Sequence, residues 1–244
     1  MNINSSIWES WRADYPALRE YIWFQNGGVS ITPTPVAAEH NRLMQEILDR
    51  GPMHIVHPDQ EYARRFETIS SLASFFDVSK NDICLMRGVS EAFQTVIRGI
   101  DWQKGDEIII TEDEEAALLL PVLHLRDRFG IKVIKAPLID DENEQTEIFS
   151  TLFTNRTRFL AISHVTTDQG FRLPVKKICE RAKERGIRSF IDLAHSAGLY
   201  EISLKDLNCD FAGILSYKWM YAPYASGLLY VNPKSEHKIE VTYA

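Results

Sequence analysis

Cysteine is scarce in this sequence: three residues in 244, Cys84, Cys179 and Cys209, far apart and never in a CxxC pair. That usage excludes a disulfide framework and a zinc-ligand set, and it fits reduced, mostly buried thiols in a cytoplasmic protein. Basic residues are outnumbered, 27 Lys and Arg against 34 Asp and Glu, for a net charge of −7. With no basic block, nucleic acid and anionic membrane are excluded as main partners. No apolar run approaches the roughly 20 residues needed to span a bilayer. The N-terminal MNINSSIWESW has neither the basic start nor the apolar core of a secretory signal. GxGxxG and GxxxxGK[ST] are also missing, so a dinucleotide or nucleoside triphosphate reading has no motif behind it.

What is present is the composition and length of one large globular domain, or one domain with an appendage. From about residue 83 onward, short apolar runs alternate with longer amphipathic ones. ICLM (83–86), EIIIT (107–111), IKVIKA (131–136), RFLAIS (158–163), RSFIDL (188–193), DFAGIL (210–215) and GLLYV (227–231) read as strands. Most are apolar at successive positions, as expected for strands covered on both faces. Helix patterns lie between them: PVLHLRDRF is closed by Gly130, and VKKICERAKER is opened by Pro174 and closed by Gly186. DDENEQ (140–145) reads as an acidic surface loop leading into a short helix. Two helices precede the first strand, one from near Pro35 to Gly51–Pro52 and one from about Gln60 to Phe76. NGGVSITPTP (26–35) reads as irregular. The expected fold class is α/β: a three-layer domain with a mainly parallel sheet of about seven strands and an irregular N-terminal arm.

Ligands of an open α/β sheet bind beyond the carboxyl ends of its strands. The residues that follow the runs are therefore the ones to weigh: 87–91, 112–115, 164–170, 192–195 and 216–219. Lys218 follows DFAGIL and is flanked by Tyr217 and Trp219, where partial desolvation would favour the neutral, nucleophilic amine. On its own it reads first as a lysine snorkelling from a strand end, since charged groups are rarely fully buried. Asp192 ends an apolar strand, where a carboxylate is costly unless it meets a cation or donors. The protonated ring nitrogen of pyridoxal phosphate (PLP) is such a cation, and a Schiff-base lysine with an acidic partner for that nitrogen is a recurring arrangement. A helix N-cap is the competing reading of Asp192. In Arg87-Gly88-Val89-Ser90-Glu91-Ala92 a glycine turn and a serine precede a helix whose free N–H groups would suit a phosphate. Strand–Gly–Ser–helix junctions are also common as plain caps.

These segments, in order, resemble the aminotransferase class V group of fold type I PLP enzymes, which includes cysteine desulfurases and isopenicillin N epimerase-like proteins. The likeness runs from YIWFQNGGVSITPTPV to GLLYVNP. Arg87–Ala92 is similar to the family's RGTTEA phosphate segment, and Phe190-Ile191-Asp192-Leu193-Ala194-His195 to its strand plus D-x-A-H/Q. Tyr217-Lys218-Trp219, with Ala222-Pro223 and Ser226–Val231, is similar to its lysine motif. The resemblance implies a PLP-binding large domain over residues 36–233, preceded by the arm at 1–35. Lys218 would form the aldimine and shuttle protons at the substrate α-carbon. Asp192 would keep the ring nitrogen protonated, His195 would lie by the phenolic oxygen or the Schiff base, and Thr167 would lie near the phenolic oxygen. Gly88, Val89 and Ser90 would hold the phosphate, with Ser216 and Tyr217 close by.

Departures from the family pattern accompany the likeness. Asp113 stands where a ring-stacking His is common, Tyr217 replaces a His, Leu215 stands at a small polar position, and Val89 replaces a Thr. Family members also continue into a small C-terminal domain, so residues 234–244 would be a stub leading to a domain outside this sequence. None of the three cysteines stands where a desulfurase nucleophile belongs. The implied function is a homodimeric PLP enzyme acting on an amino acid, of epimerase, C–S lyase or aminotransferase type. The alternative is a truncated or degenerate relative that keeps the fold and binds PLP without turnover.

Overall fold

The computed structural model describes residues 5–235 and 239–240, with side chains from Ile7. Residues 1–4 of the expected arm, and 236–238 and 241–244 of the expected stub, lie outside these. In chain order the helices are α1 (Ser5–Ala13), α2 (Thr34–Arg50), α3 (Met53–Val56), α4 (Pro58–Phe75), α5 (Val89–Arg98), α6 (Ala116–Phe129), α7 (Glu142–Leu152) and α8 (Val175–Glu184). The strands are β1 (Ile83–Met86), β2 (Glu107–Thr111), β3 (Lys132–Ala136), β4 (Thr157–Ser163), β5 (Arg188–Asp192), β6 (Phe211–Leu215) and β7 (Gly227–Val231). All seven apolar runs are strands, each within a residue of its expected bounds.

They form one sheet in the order β1-β7-β6-β5-β4-β2-β3. Only β7 runs antiparallel to its neighbours, β1 and β6. The remaining pairs are parallel. Alternation along each strand supplies two faces. Ile108, Ile110, Phe159, Ala161, Phe190 and Phe211 pack with Phe93, Val96 and Ile97 of α5 and Leu118 and Val122 of α6. Ile109, Leu160, Ile162, Ile191 and Ala212 pack on the other side with Ala73 of α4, Phe149 of α7 and Ile178 of α8. The result is the expected three-layer α/β arrangement.

Three local expectations are corrected. The arm contains a helix, α1, whose Trp8 and Trp11 help wall a cavity of about 610 Å³ together with Trp23, Ile31 and Tyr221. Helix α6 starts five residues before Pro121, which sits inside it. Pro121 lacks only the bond to the Ala117 carbonyl, one turn from the helix start, and Gly130 ends the helix in the left-handed conformation with φ +68°. DDENEQ is largely the start of α7: the Asp141 carboxylate caps it, accepting from Asn143 and Glu144 N–H at 2.9 Å each.

Candidate functional site

A cleft of about 1040 Å³ opens at the carboxyl ends of the parallel strands. Its walls come from four strand ends: Gly88–Ser90 after β1, Glu115 after β2, Asp192 and Ala194 from β5, and Leu215, Tyr217 and Lys218 after β6. The turn into α5 is tightly fitted. Gly88 has φ +149°, and a Cβ there would lie 2.7 Å from Leu215 Cδ1. Gly227, opening β7, brings its backbone so close that a Cβ would meet Gly88 Cα at 2.7 Å and Ile214 O at 2.3 Å. Side chains larger than hydrogen have no room at this crossing. The first N–H groups of α5 have no acceptor within the helix and face the cleft beside the Ser90 hydroxyl. Glu91 does not compete for them: it accepts from Arg87 N at 2.7 Å and from the Arg87 guanidinium at 2.9 Å, which holds its carboxyl below the usual range.

Asp192 and Lys218 are both buried, at 3% and 8% exposure. Asp192 Oδ1 accepts from Ala194 N at 2.7 Å, while Oδ2 is buried without a hydrogen-bond partner. Burial pushes this carboxyl up to about 7, reinforced by Glu114 and opposed by the Ala194 N–H and by Lys218. Burial pushes the Lys218 amine down, with Asp192 and Glu115 opposing. Lys218 Nζ lies 3.0 Å from His195 Nε2. Burial and the Lys218 charge push His195 down to about 4, so its ring is neutral at pH 7. Thr167 Oγ1 donates to Glu115 Oε2 at 2.8 Å and lies 3.4 Å from His195 Nε2. A connected chain thus runs from Lys218 through His195 and Thr167 to Glu115.

The expected residues do not all meet. Gly88, Val89, Ser90, Asp192, Tyr217 and Lys218 line the cleft, and His195 and Thr167 adjoin it through the Lys218 chain. Ser216 is buried behind the lysine turn, where its backbone pairs with Ser226 and Ala222. Asp113 does not line the cleft. Burial pushes its carboxyl up, with Thr166 and the Gln169 N–H opposing. Glu115, two residues later, takes the wall position instead; an acidic run at a strand-to-helix junction carries no sequence signal for which member projects inward. The N-terminal segment closes the back of the lysine turn. Ser30 N and Oγ both donate to Tyr217 O, at 3.2 and 2.7 Å, and Asn26 Nδ2 donates to Tyr221 Oη at 2.9 Å.

The residues fit PLP on the chain's own terms. An unpartnered buried carboxylate oxygen suits a protonated ring nitrogen, a lysine whose amine burial pushes down suits a Schiff base, and free helix N–H groups with a hydroxyl suit a phosphate. Comparison with known proteins points the same way. A family model described as aminotransferase class-V matches residues 22–243. A probable cysteine desulfurase of Methanothermobacter thermautotrophicus is 26% identical over 239 residues, 95% of this chain and 58% of that protein. The cysteine desulfurase of Pectobacterium atrosepticum is 29% identical over 235 residues, 90% of this chain and 56% of that one. Among solved structures, the cystine C–S lyase C-DES with its reaction product cysteine persulfide gives a TM-score of 0.88 at 25% identity, over 94% of this chain and 62% of that one. A C-DES mutant with glycine covalently linked to its PLP cofactor gives 0.89, at 25% identity, over 96% and 62%. The chain spans about three fifths of the length of these relatives. With a family match over nearly all of its length and the family's motifs gathered around one cleft, the chain belongs to the aminotransferase class-V family.

Proposed function

We propose that this chain is the cofactor-holding part of a PLP-dependent lyase that breaks a carbon–sulfur bond of a sulfur-containing amino acid. The comparisons indicate pyridoxal 5′-phosphate as the cofactor. The observation that carries the reading is the buried, unpartnered Asp192 Oδ2 in the same cleft as Lys218. When bound, the cofactor supplies an electron sink for negative charge at the substrate α-carbon. The α5 N–H groups and Ser90 bind its phosphate, and Asp192 holds the proton of its ring nitrogen. Lys218, its amine pushed down by burial, would anchor the cofactor and would move a proton at the substrate α-carbon. Neutral His195 orients the lysine nitrogen. Ser30 and Asn26 hold the lysine turn against the sheet.

Lysis at sulfur is supported by the likeness to cysteine desulfurases and to a cystine C–S lyase. Cys84 is exposed on β1 outside the cleft lining, and Cys179 and Cys209 are buried, the Cys179 thiol pushed up to about 12. No cysteine among the described residues lines the cleft. A second reading, binding without turnover, is favoured by Glu115, an acid on the wall beside Lys218.

Adding PLP to the purified chain should give a visible band that borohydride bleaches and fixes, and Lys218→Ala should abolish it; a band that survives the substitution sinks the cofactor assignment. Sulfide or persulfide release from cystine or cysteine by the loaded protein would then refute the second reading. Its absence with an intact band would refute the lyase reading for this chain.

We also infer that two copies pair. Helix α2 buries none of its residues and exposes Met44, Ile47 and Leu48, and α4 exposes Tyr62 and Phe66.

A further inference from the structure

One buried carboxylate takes no part in the cofactor cleft. Glu114 follows β2, is 7% exposed, and is held by four donors. Thr111 Oγ1 and Ser163 N reach Oε2 at 2.8 and 3.2 Å, and Ser163 Oγ and Glu115 N reach Oε1 at 2.5 and 3.1 Å. Two of these are backbone N–H groups, which only donate, so the pocket is shaped for an anion. Burial pushes the carboxyl up, and the four donors offset only part of that rise.

Ser163 ties this anion to the cofactor site. It ends β4 in register with Asp192 on β5, and the next N–H, of His164, donates to Asp192 O at 2.9 Å. The charged and titratable groups around Asp192 are Glu114 and Glu115 after β2, His164 after β4, His195 three residues along its own segment, and Lys218 after β6. His164 and His195 are both pushed down to about 4 and are neutral at pH 7, leaving Lys218 as the cation against the two glutamates.

We propose that Glu114 is a positioning residue for the proton shared by Asp192 and the cofactor's ring nitrogen, a fixed anion behind Asp192 that raises the pH up to which the pair stays protonated. The inference rests on the assignment of Asp192 to that nitrogen. In the cofactor-free chain the same anion acts on Asp192 alone, so the two assignments are separable by experiment.

The test is a carboxyl ¹³C NMR titration of the cofactor-free chain labelled in aspartate and glutamate, with Asp192→Asn and Glu114→Gln identifying the two resonances. Glu114 should stay ionised across the range in which Asp192 titrates. Glu114→Gln should lower the Asp192 midpoint by about one pH unit, the size of effect a nearby buried charge produces. Glu114→Asp, which keeps the charge, should restore most of it. In the PLP-loaded protein, the ¹⁵N resonance of the ring nitrogen should report loss of its proton at lower pH in Glu114→Gln than in Glu114→Asp. The proposal is overturned if Glu114 is protonated wherever Asp192 titrates. It is equally overturned if both substitutions move Asp192 alike, which would signal packing instead of charge. Should Glu114→Gln not fold, the Glu114 titration, identified then through Glu114→Asp, still decides. Failure to bind PLP would remove the cofactor reading and leave the cofactor-free titration standing.

Discussion

Burial acts on Asp192 and His164 in opposite senses, and the pH dependence of stability follows from their signs. The Asp192 carboxyl is pushed up to about 7, so the folded chain keeps a proton that the unfolded chain releases above about pH 4. Its contribution is therefore full at low pH and is lost as pH rises toward 7. His164 is pushed down to about 4, so the unfolded chain gains a proton below about pH 6.5 that the folded chain refuses. Stability from that side is lost as pH falls. Between about pH 4 and 6.5 the two slopes oppose each other. Asp192→Asn removes the Asp192 slope: urea unfolding of the cofactor-free variant should show stability that rises more, or falls less, with pH over that range than wild type. Above pH 7 the variant should exceed wild type by a few kcal/mol, since every tenfold change in proton affinity is worth about 1.4 kcal/mol. A variant less stable than wild type at pH 8 would contradict a strained Asp192 carboxylate. Lys218, Asp192 and His195 were legible in the sequence because each follows an apolar run within a family motif. Glu115 was not, because Glu112, Asp113, Glu114 and Glu115 are chemically alike and only the backbone path after β2 decides which points into the cleft. Glu114 was hidden for the same reason: its partner Ser163 lies 49 residues away.

At the scale of elements, the crossing of β7 under the α5 turn is the least tolerant part of the site. Gly227→Ala would drive a methyl into backbone atoms of Ile214 and Gly88, which cannot swing aside as a side chain can. Gly88→Ala meets the flexible end of Leu215 but also adopts φ +149°, which an L-residue reaches only with strain of about 1–3 kcal/mol. Both substitutions should lower the melting temperature, and both should weaken PLP capture more than Ser90→Ala does, because they displace the α5 N–H groups together. Equal retention of the lysine-dependent band in all three would show that the turn is not the phosphate seat. The helix cap offers a contrast away from the site: Asp141→Ala should cost about 1 kcal/mol of unfolding free energy and leave PLP binding unchanged. Seven strands and their order of appearance were readable, since runs of Ile, Leu and Phe have few other uses at that length. Two features were not. GLLYV carries no sign of its antiparallel direction, which is set by pairing with β1 and β6. The start of α6 was obscured by Pro121, because a proline ordinarily marks a boundary and here falls where a single carbonyl goes unpaired.

At the scale of the molecule, Met44, Ile47 and Leu48 of α2, Ile55 and Val56 of α3, and Tyr62 and Phe66 of α4 are exposed, while the apolar side chains of β2, β4 and β5 are fully covered. Ile55 and Val56 are 70% and 50% exposed, Leu48 and Phe66 77% and 56%. Patches of this kind commonly mark association between chains. Sedimentation of the purified chain should give a dimer whose dissociation is promoted by Leu48→Glu together with Phe66→Glu, with the far-UV circular dichroism unchanged. A monomer at every concentration would refute the pairing.

The attachment of Ser30 to the Tyr217 carbonyl spans 187 residues of sequence, and the edge strand β1 pairs with β7 near the other end of the described chain. Contacts so distant are paid for in loop-closure entropy before they return anything, which places them late in folding and makes the process slow. The lysine turn, clasped by Ser30 on one side and β7 on the other, is therefore among the last parts to become native. During refolding, collapse of the central parallel strands would precede any capacity to capture PLP, and the lag between the two would time the meeting of the chain's distant segments.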